Sequence, residues 1–436
     1  MKKNIFFVLI LLFISIDFSF AQNKLAEKYI AKAKKYLEKN SASENYFSIN
    51  EKGVSMFANP KDKQLQLPEY TVYWNELDTL QLLFKTVSDS EMQRILIEKN
   101  THYFSKNIFS DNAVQQIKST FFPSDEKKLN GLKIAIDPGH IAGTLQMAKI
   151  ESRYLELNSD SSKDSIQLIE GNETFATAWL LKQKLETAGA TVMLTKSAPG
   201  MTAFDMSYFD WKKKFLKPLL ENEYREKKIS SSKKNFLLET NNEKARFAFF
   251  SPFDLAERAK KINNFHPDMT VIMHYNVNEK NIGWKNPTEK DFCMTFAGAC
   301  FTGKTLENKN QQIAFLRLLL TDDLTHSIAL SKITENHFHT DLGIPIALPK
   351  DAEYLTKNSL STDEKGVYLR DLMLARLIKG TFVYGEALYQ DNIRESELLS
   401  NKTLNVDGIP TSPRIGQVAE AYYKAILEYA ADDLKK

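Results

Sequence analysis

Two histidines and one glutamate stand where a folded chain could bring them together for chemistry. His140 follows the apolar run Leu132–Ile136 and the stop Asp137-Pro138-Gly139. His274 directly follows Met269–Met273, and Glu386 follows Thr381–Tyr384 by one glycine. Short apolar or β-branched runs bounded by such stops read as buried strands. Open α/β sheets place their chemistry beyond the carboxyl ends of strands. One histidine among the seven would mean little, because most are satisfied core or surface residues. Three such positions on separate strands match what a mononuclear zinc site requires, imidazole and carboxylate donors converging from different elements.

The elements around them are those of an α/β domain. After His140 the chain is polar to about Ser165, rich in Ser, Asp and Lys, and reads as a loop over the site. Asn172–Ala188 follows, with Phe175, Ala178, Leu181 and Leu185 on one helical face and Gly189 as its stop. Glu170 and Glu173 both lie near the start of this helix, where a carboxylate meets the helix dipole favourably. Thr191–Thr195 is the next strand. Strand, loop, helix and strand in that order predict an α/β fold, a twisted, mostly parallel or mixed sheet with helices on both faces.

This ordered set resembles the zinc-dependent N-acetylmuramoyl-L-alanine amidases of bacterial cell walls. The resemblance rests on Asp137 to His140, Glu170, the spacing Ala178, Leu181, Leu185, Gly189, and Leu194-Thr195. It continues through Arg258 and Asn263, His274 and Asn276, Phe382 to Glu386 with Asn392, and a final helix over Val418–Tyr429. It implies that His140, Glu170 and His274 ligate zinc and that Glu386 is the catalytic carboxylate. Asn276 and Arg258 would contact substrate. The register set by Gly189 and Ala178 selects Glu170 over Glu173 as the third ligand. The implied substrate is peptidoglycan, cut at the amide joining N-acetylmuramic acid to L-alanine, for wall remodelling or cell separation. The alternatives are an exported zinc hydrolase of another amide or peptide, or a non-catalytic peptidoglycan-binding relative. The last would be expected to lack a ligand or the carboxylate, and this chain keeps all four.

The chain departs from that family at Lys196, where an arginine is usual, and at Ile272-Met273, where a serine usually stands two before the histidine. It is also longer, with insertions expected at about 197–250 and 280–370. The first carries charged runs such as Lys212-Lys-Lys214 and reads mainly as a solvated face. The second carries His337-Phe-His339, two histidines that would point the same way on a strand, more readily a substrate contact than a second metal site. It also holds Cys293 and Cys300, the only cysteines, as a short disulfide or as two buried thiols.

The amino terminus reads as a secretory signal peptide: Lys2 and Lys3, an apolar run over Ile5–Ile16, and small residues before a cut after Ala21. Export to the periplasm or beyond follows, with no transmembrane segment in the mature chain. Removing Lys2, Lys3 and Asp17 lowers the formal charge from +3 to +2, which gives no reason to expect nucleic acid. About 415 residues remain. Residues 22–125 form a small α+β accessory region without a catalytic cluster, His102 standing alone. A domain of 126–436 carries the chemistry. The accessory region or the insertions are where a regulatory protein partner or the cell wall would bind.

Overall fold

The computed structural model describes residues 22–98, 127–157, 165–406 and 408–432. The expected leader 1–21, His102 and the boundary expected between residues 125 and 126 lie outside the described residues.

β1 (Phe47–Asn50), β2 (Gly53–Met56) and β3 (Tyr70–Tyr73) make a small antiparallel sheet. β4 (Lys133–Pro138) starts the main body, and β5 (Tyr154–Leu157) pairs with β6 (Ile166–Ile169) beside it. β7 (Thr191–Leu194), β8 (Met269–Asn276), β9 (Met294–Gly298), β10 (Ser359–Ser361), β11 (Val367–Arg370) and β12 (Phe382–Tyr389) follow. The central sheet runs β10-β11-β9-β12-β8-β4-β7. Strands β7, β4, β8 and β12 are mutually parallel, whereas β9 runs antiparallel to β12 and β10 antiparallel to β11. The sheet is therefore mixed, as the α/β reading expects.

Alternation along each strand divides its side chains between two faces. Ile134, Ile136, Val271, Met273 and Val383 pack into one core with the helices Glu170–Thr187, Asp323–Leu342 and Pro413–Asp432. Ala135, Ile272 and Phe382 point the other way, onto Ala259 and Ile262 of the helix Glu243–Phe265. Asp137, His274 and Glu386 fall in the phase of this second set. The periodicity that buries the core thus aims the polar side chains at one face.

The stretch after His140 is not simply a loop. Thr144 caps the helix Leu145–Glu151, its hydroxyl accepting from Met147 N, and Met147 and Ala148 are buried. Among the polar residues this short apolar patch anchors the helix. The 197–250 stretch forms the helices Tyr208–Arg225 and Ser231–Leu238 and begins Glu243–Phe265. Its buried Tyr208, Trp211, Leu220 and Phe250 share a core with Ile141, Ala142, Met147 and Ala148. The 280–370 stretch supplies β9, β10 and β11 to the main sheet.

Residues 22–98 share a core with that second stretch. Tyr29, Leu37, Phe47, Val72, Leu83 and Leu96 pack with Phe315, Leu316 and Leu319 of the helix Lys309–Leu320. Lys39 N donates to Phe301 O at 2.8 Å, joining the two backbones.

Candidate metal centre

His140 comes straight off β4 with a left-handed backbone, φ 59°. Its ring meets that of His274 edge-on, centroids 4.8 Å apart. Such closeness needs the glycine before it: a Cβ on Gly139 would lie 2.4 Å from His274 Cε1. His274 lies within β8, not past its end, and is the cross-strand neighbour of Glu386 on β12. The His274 ring stacks on Tyr384, centroids 4.6 Å apart and planes nearly parallel.

Glu170 closes the group. It opens the helix Glu170–Thr187, and its Oε1 lies 3.1 Å from both His140 Nε2 and His274 Nδ1. One donor atom from each of the three residues lies within 4.8 Å of the others. Gly171 lets the helix start press on the preceding turn, since a Cβ there would meet Ala142 O at 2.4 Å. Of the two glutamates, Glu170 faces the imidazoles, while Glu173 is buried against Lys402 Nζ at 3.0 Å.

The charges follow from this packing. Burial opposes ionisation of Glu170, yet the two imidazoles hold it well below the usual carboxylate range. Burial also opposes charge on His140, but Glu170 and Glu151 push it up to about 9. His274 is lowered, by burial first. Glu386 is raised to about 8 by burial and by the neighbouring Glu170 charge, and its Oε2 has no hydrogen-bond partner among the described residues.

The remaining expected site residues are placed differently. Arg258 does not reach out to a ligand. It is 3% exposed, with Nε on Asp254 Oδ2 at 2.8 Å, Nη1 on Asp137 and Pro138 O, and Nη2 on His140 O at 3.2 Å. Its donors brace the turn that carries His140, while the residue also lines the cleft that opens beside the group. Asn276 is partly buried and donates to the Tyr354 hydroxyl at 2.7 Å. His337 and His339 lie on the helix Asp323–Leu342, not on a strand, so residues two apart diverge. His337 sits between Asp341 and Glu428 at 2.9 and 3.0 Å, and His339 Nδ1 is 2.8 Å from Ile344 O. Cys293 and Cys300 are free and buried, held apart by the extended strand β9.

Three contributors were missed. Glu151 approaches His140 Nδ1 at 3.0 Å. Arg153 stacks over Trp284 at 5.1 Å, with its Nε 3.9 Å from Glu170 Oε2. Lys196 is buried and donates to His140 O, its pKa lowered to about 7 by burial and by Arg258. Lys196 was flagged only as a departure, and the other two sat in a stretch whose polarity concealed its helix. Beside the group opens a cleft of about 470 Å³, walled by Phe247, Leu255, Met373 and Tyr384 and edged by Arg153 and Lys244. Among the described residues no helix is long and apolar enough to cross a membrane.

No protein-family model matches the chain, and no curated protein does. Solved structures with a similar arrangement do exist. The CwlD amidase of Clostridioides difficile, solved in complex with the GerS lipoprotein, is 17% identical at TM-score 0.35, over 69% of this chain and 100% of that one. An N-acetylmuramyl-L-alanine amidase of Mycobacterium abscessus is 14% identical at TM-score 0.36, over 69% and 99%. One of Mycobacterium smegmatis is 12% identical at TM-score 0.37, over 70% and 99%. Likeness this distant carries no functional argument, which rests on the side chains.

Proposed function

We propose that this chain is an exported zinc-dependent amidase that hydrolyses the bond between N-acetylmuramic acid and L-alanine in peptidoglycan. One observation carries the reading. His140, Glu170 and His274 present donor atoms within 4.8 Å of one another, and Glu386, whose Oε2 is unpartnered among the described residues, is the cross-strand neighbour of His274. Two imidazole nitrogens and one carboxylate oxygen are the donor types that zinc takes in hydrolytic sites, which leave one position open. The residues present therefore fit the ion. A zinc ion held there would supply a Lewis acid that polarises an amide carbonyl and lowers the pKa of water from about 16 to about 7.

The chain's own groups do the rest. Glu386, the cross-strand neighbour of His274 with its Oε2 unpartnered among the described residues, is the carboxylate placed to take a proton and return it to the departing amine. Arg258 and Lys196 fix the backbone of His140, and Tyr384 packs the ring of His274 flat. The cleft beside them gives an acylated peptide an approach with apolar walls and a cationic edge.

Digestion of purified sacculi by the mature chain tests the reading: release of free L-alanine amino termini is expected. Intact muramoyl–alanine bonds with cleavage of another amide would leave a zinc hydrolase of different substrate, and no cleavage with retained binding would leave a peptidoglycan-binding relative. Export rests on the leader 1–21, and residues 22–98 offer the surface for a regulatory partner.

A further inference from the structure

His140 is the triad member least supported by regular structure: it sits in a left-handed turn just beyond β4. What fixes its ring is a carboxylate. Glu151 Oε1 lies 3.0 Å from Nδ1, and the two Glu151 oxygens also accept from Ile141 N at 3.2 and 3.3 Å and from Ala142 N at 3.0 Å. One side chain therefore grips three consecutive residues. An ionised carboxylate only accepts hydrogen bonds, so Nδ1 donates to Glu151 and the ring is held with Nε2 facing Glu170.

We propose that Glu151 is a positioning residue that sets zinc affinity by clamping the turn 140–142 and fixing the orientation of the His140 ring. This rests on the zinc reading above and goes beyond it. The clamp is delivered by the last residue of the helix Leu145–Glu151, after which Ser152 turns back in a left-handed conformation. Met147 and Ala148 root that helix in the core built by Tyr208, Trp211 and Phe250. The helix Leu145–Glu151 and the 197–250 stretch thus have one shared task, to buttress the first histidine from outside the sheet. Outer carboxylates that orient a metal-binding imidazole typically account for 10- to 100-fold in affinity. Linkage makes the effect mutual, so zinc should tighten the clamp by the same factor.

The test is zinc affinity of the mature chain, measured by competition with a chelating dye. Glu151→Gln should bind zinc about 10- to 100-fold more weakly than wild type, and Glu151→Asp should fall between them. The visible spectrum of the cobalt(II)-loaded protein should change in Glu151→Gln, because ligand geometry changes. Glu173→Gln removes an equally buried glutamate outside the clamp and should bind zinc as wild type does. Should Glu151→Gln fail to fold, amide exchange on wild type decides: zinc should slow exchange at Ile141 and Ala142. Wild-type affinity and an unaltered cobalt spectrum in Glu151→Gln overturn the clamp alone, as does exchange indifferent to zinc. A wild type that binds no zinc overturns the clamp and the amidase reading together.

Discussion

Two glutamates on opposite sides of the same sheet are both raised to about 8, mainly by burial, yet only one stands at a site. Glu386 projects from β12 beside His274, with Glu170 raising it and Arg370, His140 and Arg153 pulling it back. Glu335 comes from the helix Asp323–Leu342 on the other face, where a Cβ on Gly385 would meet Phe338 and Tyr422. It is fully buried beside the Cys293 thiol, and neither oxygen has a hydrogen-bond partner of ordinary geometry among the described residues. A displaced pKa marks a strained environment; a convergent donor set with open access makes it a place for chemistry.

The largest effect that would sharpen this contrast is Glu386→Gln. Turnover on sacculi should fall by about 10²–10⁴-fold, the usual worth of a positioned proton carrier, while the zinc stoichiometry stays at that of wild type. Normal turnover in the variant would remove Glu386 from the reaction. Chelation comes next, since it acts on one face only. Stripping zinc should abolish turnover and lower stability by about 4 kcal/mol if free zinc had stood near a thousand times its dissociation constant. An unchanged melting temperature on chelation would mean the three donors hold no ion.

Glu335→Gln should leave turnover at pH 7 intact and change the pH dependence of folding instead. A carboxyl whose folded pKa lies above its ordinary 4.5 favours the protonated native state. Its contribution is complete below about 4.5 and is lost as pH rises toward 8, at roughly 1.4 kcal/mol per unit. Urea midpoints at pH 5 and pH 8 should therefore converge in the variant relative to wild type. Identical slopes would show that Glu335 does not titrate in that window. The smallest effect is expected from Tyr384→Leu, which removes the ring stacked on His274. A loss of about 0.5–1.5 kcal/mol should appear as up to about tenfold weaker zinc binding, read by dye competition.

The legible part of the site was the part that coincides with punctuation. His140 follows a Pro-Gly stop, Glu170 begins a helix with a clear apolar face, and His274 and Glu386 adjoin unbroken apolar runs. Each therefore carries a local signal of where its backbone goes. The mixed sheet was legible for the same reason at β4, β7, β8 and β12. Glu151 carried no such signal, because two buried residues among many polar ones do not announce a helix. Arg258 was recognisable as important but not as a brace, since only the fold brings Asp137 and Asp254 to it. The histidines at 337 and 339 were misread because spacing by two suggests a strand, whereas the surrounding residues continue a 20-residue helix.

The shared core between the amino-terminal residues and the helix Lys309–Leu320 bears on how this protein can be divided. Trimming the chain at residue 127 to isolate its chemistry would uncover Phe315, Leu316 and Leu319, all now sealed from water. Such a fragment would present a sticky flank and tend to aggregate. The front segment is thus part of the chain's chassis rather than a cargo that can be exchanged, and a shorter expressible version would first need that flank repainted with polar residues.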